Sequence, residues 1–343
     1  MKKKATITDI ARALNITPSA VSKALNGHPR ISKKTRDAVE AMAAKLNYRP
    51  NHLASGLRKG QSGLLGMLVP ATEIKAYAAA INGAEAEAEA AGYNVIIAQS
   101  RDEYQKELKV FESMNRTQVE GLIVCMASTT TRFEHFDKWE KEGPPLVLFD
   151  RIFERGKRHM SVLDDYLASY VATEHLIEQG CTRLAHLSGP LHIPTYENRM
   201  RAFKDRLKRY GFEEKAEWMP TSALTIEDGR AFMEGCFERG EIPDGIFASS
   251  DYAAFGAMRV LQEKGLKVPE EVAMVGFGNE QFGAFIQPGL STIDPESEAM
   301  GRLAARLLIQ QIRMKSSEIP SYRRRILKPK LIVRESSRRN VHT

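Results

Sequence analysis

Long apolar runs are missing from this chain. The longest strand-like stretches, such as Gly121-Leu-Ile-Val-Cys-Met-Ala127, fall far short of the ~18 residues that a membrane-spanning helix needs, so no membrane span is expected. Cysteine is scarce: Cys125, Cys181 and Cys236 lie more than 50 residues apart. They offer neither a metal-ligand spacing nor a disulfide framework, which suits a reducing cytoplasm. The opening Met-Lys-Lys-Lys is followed by Ala5-Thr-Ile-Thr-Asp-Ile-Ala-Arg12, with an acid and a base where a leader's apolar stretch would stand, so no secretory signal is expected. There is no Gly-x-Gly-x-x-Gly after the first strand, no Gly-x-x-x-x-Gly-Lys, no Gly-x-Ser-x-Gly and no His-Glu-x-x-His. The eight histidines are scattered. Nothing therefore points to an enzyme, a cofactor or a metal. Repeats and low-complexity tracts are also absent.

What is present is an ordinary globular composition, 43% hydrophobic and 27% charged over 343 residues, enough for two or three domains. The charge is unevenly placed. Residues 1–60 hold 13 Lys/Arg against 3 Asp/Glu, whereas the remainder is slightly acidic, with 37 against 40. A small cationic segment on an acidic body predicts a polyanionic partner, because phosphate neutralisation supplies affinity independent of sequence. A merely solvated charged face is the plainer reading of the same pattern.

The first 48 residues read as three short helices. Thr6 or Thr8 caps a helix through Asp9–Leu14, Thr17 caps a second over Pro18–Leu25, and Ser32 caps a third from Lys33 to Leu46. A turn of about three residues joins the first two, which is the helix-turn-helix arrangement. Its second helix would present Pro18, Ser19, Ser22 and Lys23 to base edges and phosphates. A generic three-helix bundle is the competing reading. Residues 49–61, with Pro50, Gly56 and Gly60, read as a linker of marginal helix propensity. Beyond residue 61, apolar strands alternate with amphipathic helices, which predicts parallel sheets covered on both faces. About ten strands are too many for one open sheet, so two doubly wound subdomains are expected, with ligands at the carboxyl ends of the strands. A short strand is expected near Trp218.

Thr6-Ile-Thr-Asp-Ile-Ala-Arg-Ala-Leu-Asn-Ile-Thr-Pro-Ser-Ala-Val-Ser-Lys-Ala-Leu-Asn-Gly27, Ile31-Ser-Lys-Lys-Thr-Arg36 and Leu46-Asn-Tyr-Arg-Pro-Asn51 resemble the lactose-repressor (LacI/GalR) family of bacterial transcription regulators. The resemblance continues through Phe149-Asp-Arg151, Leu187-Ser-Gly-Pro190, Val275-Gly-Phe277, Leu290-Ser-Thr-Ile293 and Leu331-Ile-Val-Arg-Glu-Ser336. It implies a small all-α helix-turn-helix head (1–48), a hinge-helix linker (49–61), and an α/β body similar to periplasmic sugar-binding proteins. The body's subdomains are expected at 62–162 with 291–322, and at 163–290 with 323–336. The implied function is a cytoplasmic homodimeric regulator, most simply a repressor, of double-stranded operator DNA, controlled by a small carbohydrate or sugar acid between the subdomains. By the same resemblance Thr6, Thr17, Ser22, Asn26, Ser32 and Tyr48 are positioning contacts to DNA. Asn51 would start the hinge helix, with Leu57 as a minor-groove wedge beside Ala54 and Arg58. Tyr77, Asp150, Arg199, Ser250, Asp251 and Asn279 are the implied effector contacts. Two departures stand out: Pro18 and Pro29 replace frequent polar contacts, and Gly278 stands where many sugar-responsive members keep an aspartate. Losing a carboxylate while keeping Arg199 suggests an anionic effector. A leucine-heptad tail is absent, so coiled-coil tetramers are not expected. The rival reading is a solute-binding protein with a basic tail and no sequence-specific role on DNA.

Overall fold

The computed structural model describes residues 5–25, 27–48, 62–314 and 322–339. The chain divides into two compact units, 1–62 and 63–343, each with its own core.

The first unit contains α1 (Ile7–Leu14), α2 (Pro18–Leu25) and α3 (Lys33–Lys45). Thr6 and Asp9 form a reciprocal capping box at the start of α1, and Asn15 ends that helix in the left-handed conformation. The Thr17 hydroxyl accepts the Ala20 N–H and the Ser32 hydroxyl accepts the Thr35 N–H. Each helix thus begins on a side chain that satisfies an otherwise orphaned donor. Helical spacing turns Ile10, Ala11, Val21, Ala24, Val39 and Ala43 inward to make a small dry core.

The second unit alternates as the apolar pattern predicts: β1 (Leu64–Val69), α4 (Lys75–Ala90), β2 (Asn94–Gln99), α5 (Tyr104–Thr117), β3 (Gly121–Val124), α6 (Glu134–Glu142), β4 (Leu146–Phe149) and β5 (His159–Leu163). It continues through α7 (Asp165–Glu178), β6 (Leu184–Leu187), α8 (Pro194–Tyr210), α9 (Ile226–Arg239), β7 (Gly245–Ala248), α10 (Asp251–Glu263), β8 (Ala273–Phe277), β9 (Ser291–Asp294), α11 (Ser297–Arg313), β10 (Arg324–Leu327) and β11 (Lys330–Ile332). One sheet has the order β10-β5-β4-β3-β1-β2, all parallel; the other has β11-β9-β8-β7-β6, parallel except for β11.

Four details differ from the sequence reading. β5 and β9 are strands that local patterning does not announce. Each is only four or five residues, and both carry polar side chains, Ser161 in one and Ser291 and Thr292 in the other, that the fold buries completely. Ala216–Trp218 is a 3₁₀ turn, not a strand, with the Trp218 side chain buried in the core of the second sheet. β11 runs antiparallel. The expected boundaries also shift: β9 (291–294) joins the second sheet, and β10 (324–327) joins the first. The chain therefore crosses between sheets after β5, after β9 and after β10. These three crossings connect the two sheets.

α4 and α11 pack closely across the first sheet. A Cβ on Gly83 would lie 2.0 Å from the Glu298 carbonyl oxygen, and one on Gly301 would lie 1.9 Å from that of Ala80. Only glycine permits this approach. It brings the starts of both helices, which carry Tyr77, Ser297 and Met300, to the mouth between the sheets.

Candidate functional site

Two places collect the expected site residues. On the helical unit, Pro18, Ser19 and Lys23 are exposed on α2 while Val21 and Ala24 of the same helix are buried. Ser22 is partly buried. Thr6, Thr17 and Ser32 stand at the starts of the three helices, where N–H groups and the helix dipole favour a phosphate. Tyr48 packs on the head core and is partly buried. Asn26, Asn51, Ala54, Leu57 and Arg58 lie outside the described residues.

In the second unit a cavity of about 220 Å³ opens between the carboxyl ends of the two sheets. Tyr77, Asp150, Arg199 and Ser250 line it, from four different elements. Tyr77 comes from the first turns of α4, and burial raises its phenol well above the ordinary range against the pull of Arg151. Asp150 follows β4 with φ +57°, a left-handed conformation that aspartate tolerates better than most residues. Arg199 comes from α8. Ser250 caps α10 through the Tyr252 N–H.

Two expected contacts are corrected. Asp251 turns away from the cavity: its carboxylate accepts the Thr292 hydroxyl at 2.7 Å and the Glu280 N–H at 2.6 Å, pinning the β8 loop to β9. Burial raises its carboxyl to about 6. Asn279 is also a brace, donating to Asp294 (2.8 Å) and accepting from Arg334 (2.9 Å). Neither belongs to the cavity lining. The backbone turns at Gly278, whose φ of +127° is rarely open to a side-chain-bearing residue.

Glu280, the alternative to Asn279 as a polar contact beside Gly278, does line the cavity, and so do Asp102, Arg151, Tyr196, Ser249 and Phe277, which sequence reasoning had not placed there. Arg151 and Phe277 sit inside the quoted stretches Phe149-Asp-Arg151 and Val275-Gly-Phe277, so that signal was within reach. Arg151 lies between the rings of Tyr77 and Tyr196, 6.0 and 5.7 Å from their centroids, and reaches Asp102 at 2.6 Å. Burial works against charge at both members of this pair. The guanidinium is nevertheless held cationic, with the Asp102 carboxylate as its counter-charge. The Asp102 carboxyl is drawn below its usual range by Arg151 and the Ser128 N–H. Arg199 meets Asp165 at 2.9 Å through Nε and at 2.7 Å through Nη2, and its guanidinium lies 3.4 Å over the Phe277 ring. Burial lifts the Asp165 carboxyl to about 6, against the pull of Arg199.

These pairings remove the free cation on which the expectation of an anionic effector rested. Each cleft arginine already has its own carboxylate, and Asp150 and Glu280 add negative charge to the lining. Apolar rings, hydrogen-bonding side chains and the Ser249 hydroxyl, buried with no protein partner, make a surface suited to a small polar molecule with both ring faces and hydroxyls.

Comparisons with known proteins agree on what the chain resembles. Residues 6–51 match the model for bacterial regulatory proteins, lacI family, and residues 173–337 match a periplasmic binding protein-like domain. The ribose operon repressor of Halalkalibacterium halodurans is 30% identical over 97% of both chains. The HTH-type transcriptional repressor PurR of Haemophilus influenzae is 28% identical, covering 97% of this chain and 98% of its own. The lac repressor dimer bound to operator and the anti-inducer ONPF superposes with a TM-score of 0.85 at 23% identity, over 98% of this chain and 99% of that one.

Proposed function

Because the chain belongs to the lacI family of bacterial regulatory proteins, we propose that it represses transcription by binding operator DNA through α2 and releases or tightens that grip when a small carbohydrate fills the cleft. The observation that carries this reading is the pairing of two features on one chain. A basic helix-turn-helix unit exposes Pro18, Ser19 and Lys23, and a cavity at the strand termini has an orphaned buried hydroxyl, Ser249, and five aromatic side chains in its lining. The reading involves no enzymatic step and places the protein in the cytoplasm, with the DNA. No helix among the described residues is long and apolar enough to cross a membrane. Ligand binding would bias the clamshell about its three crossings. A coupling of about 1–3 kcal/mol to operator affinity is the usual size of such linkage. Residues 49–61 carry the connection and lie outside the described residues.

The test is direct. Full-length protein should select a near-palindromic duplex from a random pool, with affinity that falls steeply as salt rises. At least one member of a set of monosaccharides should shift that affinity about 5- to 100-fold. A salt slope without sequence preference would leave the solute-binding reading standing.

A dimer is part of this proposal, since one small head reads too few base pairs to discriminate among genomic sites. We assign its surface to the second subdomain. Phe282 is 69% and Phe285 79% exposed, beside an apolar depression lined by Phe255, Met258, Val268 and Ile286. Exposed rings of this size mark a contact. Replacing Phe282 and Phe285 together by lysine is expected to halve the mass measured by sedimentation. An unchanged dimer would move the interface elsewhere.

A further inference from the structure

The cleft's charges do not balance. Its lining holds Asp102, Asp150 and Glu280 against Arg151 and Arg199, and Asp165 sits directly behind Arg199. Arg151 is neutralised by Asp102 and Arg199 by Asp165. Asp150 and Glu280 remain, and among the described residues neither forms a salt bridge. Asp150 has only the Cys125 thiol at 3.6 Å, a weak donor, on one carboxylate oxygen. Glu280 accepts the Lys75 backbone N–H at 3.2 Å and the Tyr252 hydroxyl, both neutral donors. The Lys75 ammonium attracts Glu280 electrostatically, but it donates to the carbonyl oxygen of Asn279. Counting Lys75 as well leaves the cleft negative.

The two unpaired carboxylates come from different halves of the clamshell. Asp150 follows β4 of the first sheet and Glu280 follows β8 of the second. Asp150 is held at φ +57°, a conformation that costs energy and is tolerated where a side chain must be aimed. Glu280 is buried and Asp150 half-buried; a carboxylate so placed without a cation is costly, and a ligand cation is the natural compensation.

We propose that the effector is an amino sugar, a monosaccharide whose protonated amine is received by Asp150 and Glu280 while its hydroxyls meet Ser249 and the remaining donors of Arg151. This rests on the reading of the cleft as a carbohydrate site and specifies the class of carbohydrate. An ammonium touching both carboxylates would also tie the two subdomains together, so binding and closure become one event.

The experiment is calorimetric titration of full-length protein, near neutral pH, with matched pairs: glucosamine and glucose, galactosamine and galactose, mannosamine and mannose, with glucuronate as the anionic control. The amine of at least one pair should bind about tenfold or more tightly than its hydroxyl twin, and glucuronate should show no measurable heat. Asp150→Asn, which keeps the left-handed backbone accessible, and Glu280→Gln should each bring the two members of that pair to within about twofold. Using both variants guards against one failing to fold. A neutral twin binding as tightly as its amine, an undiminished amine preference in both variants, or preferred binding of glucuronate would overturn the amino-sugar assignment and leave the carbohydrate cleft intact. Silence from every sugar would remove the carbohydrate reading, and this inference with it.

Discussion

Val21→Asp is expected to abolish sequence-specific DNA binding while leaving the second unit untouched. Val21 is fully buried at the centre of a core built from six small or medium side chains. An aspartate there brings an uncompensated charge into that core, at a cost of several kcal/mol. A single core of this size seldom supplies more than about 3–5 kcal/mol in total, so the substitution consumes the stability of the whole head. Binding to a duplex selected by the wild-type protein should fall about a thousandfold or more, to the level of non-specific attraction. The main thermal transition should not move, because the second unit has its own core. Val21→Ile should retain binding. A Val21→Asp protein that still discriminates among duplexes would show that the helical head is not the reader.

Arg199→Met is expected to cost both effector binding and stability. The Arg199 side chain is 3% exposed and that of Asp165 9%, and their charge-assisted contacts are short. Methionine replaces the stem's volume but strands Asp165 in a buried position. Breaking one side of such a pair costs about 3 kcal/mol. That corresponds to a fall of roughly 6–12 °C in the unfolding midpoint. The pH dependence has a definite sign. Asp165 already sits at about 6 in the folded protein because burial disfavours its charge, and losing Arg199 raises it further. A carboxyl whose folded pKa exceeds its unfolded one binds protons preferentially in the folded state. The deficit is therefore largest above the folded pKa and shrinks as pH falls through it toward about 4. Melting curves near pH 8 and pH 5 check this, and equal deficits at both would show that the pair does not hold the cleft by charge. The wild-type effector response should be lost in parallel, since Arg199 also lines the cavity.

The head was readable almost residue by residue. Thr6 with Asp9, Thr17 with Pro18, and Ser32 with Thr35 announce helix starts through contacts three residues apart or fewer. The periodic apolar positions between them define the buried face without reference to anything distant. The alternation of β1 through β4 with α4, α5 and α6 was equally plain, because β1, β3 and β4 are runs without a polar side chain and the helices between them carry their own period. The cationic front and acidic remainder needed only counting.

Other features depended on residues far apart in the chain. β5 and β9 are short and carry buried polar groups, so they become strands only through the neighbours that pair with them. The exchange of β9 and β10 between sheets follows from where α11 docks, on α4, more than 200 residues earlier. Asp251 and Asn279 stand at strand ends that look like ligand positions, yet Thr292 and Arg334 capture them. Arg199 read as a free cation until Asp165, 34 positions away, was beside it; Arg151 and Asp102 meet across 49. Local periodicity and capping act over a few residues and are written directly in the order of side chains. The sign of the cleft's charge is a sum over partners that only chain folding brings within 3 Å, and no short window of sequence contains that sum.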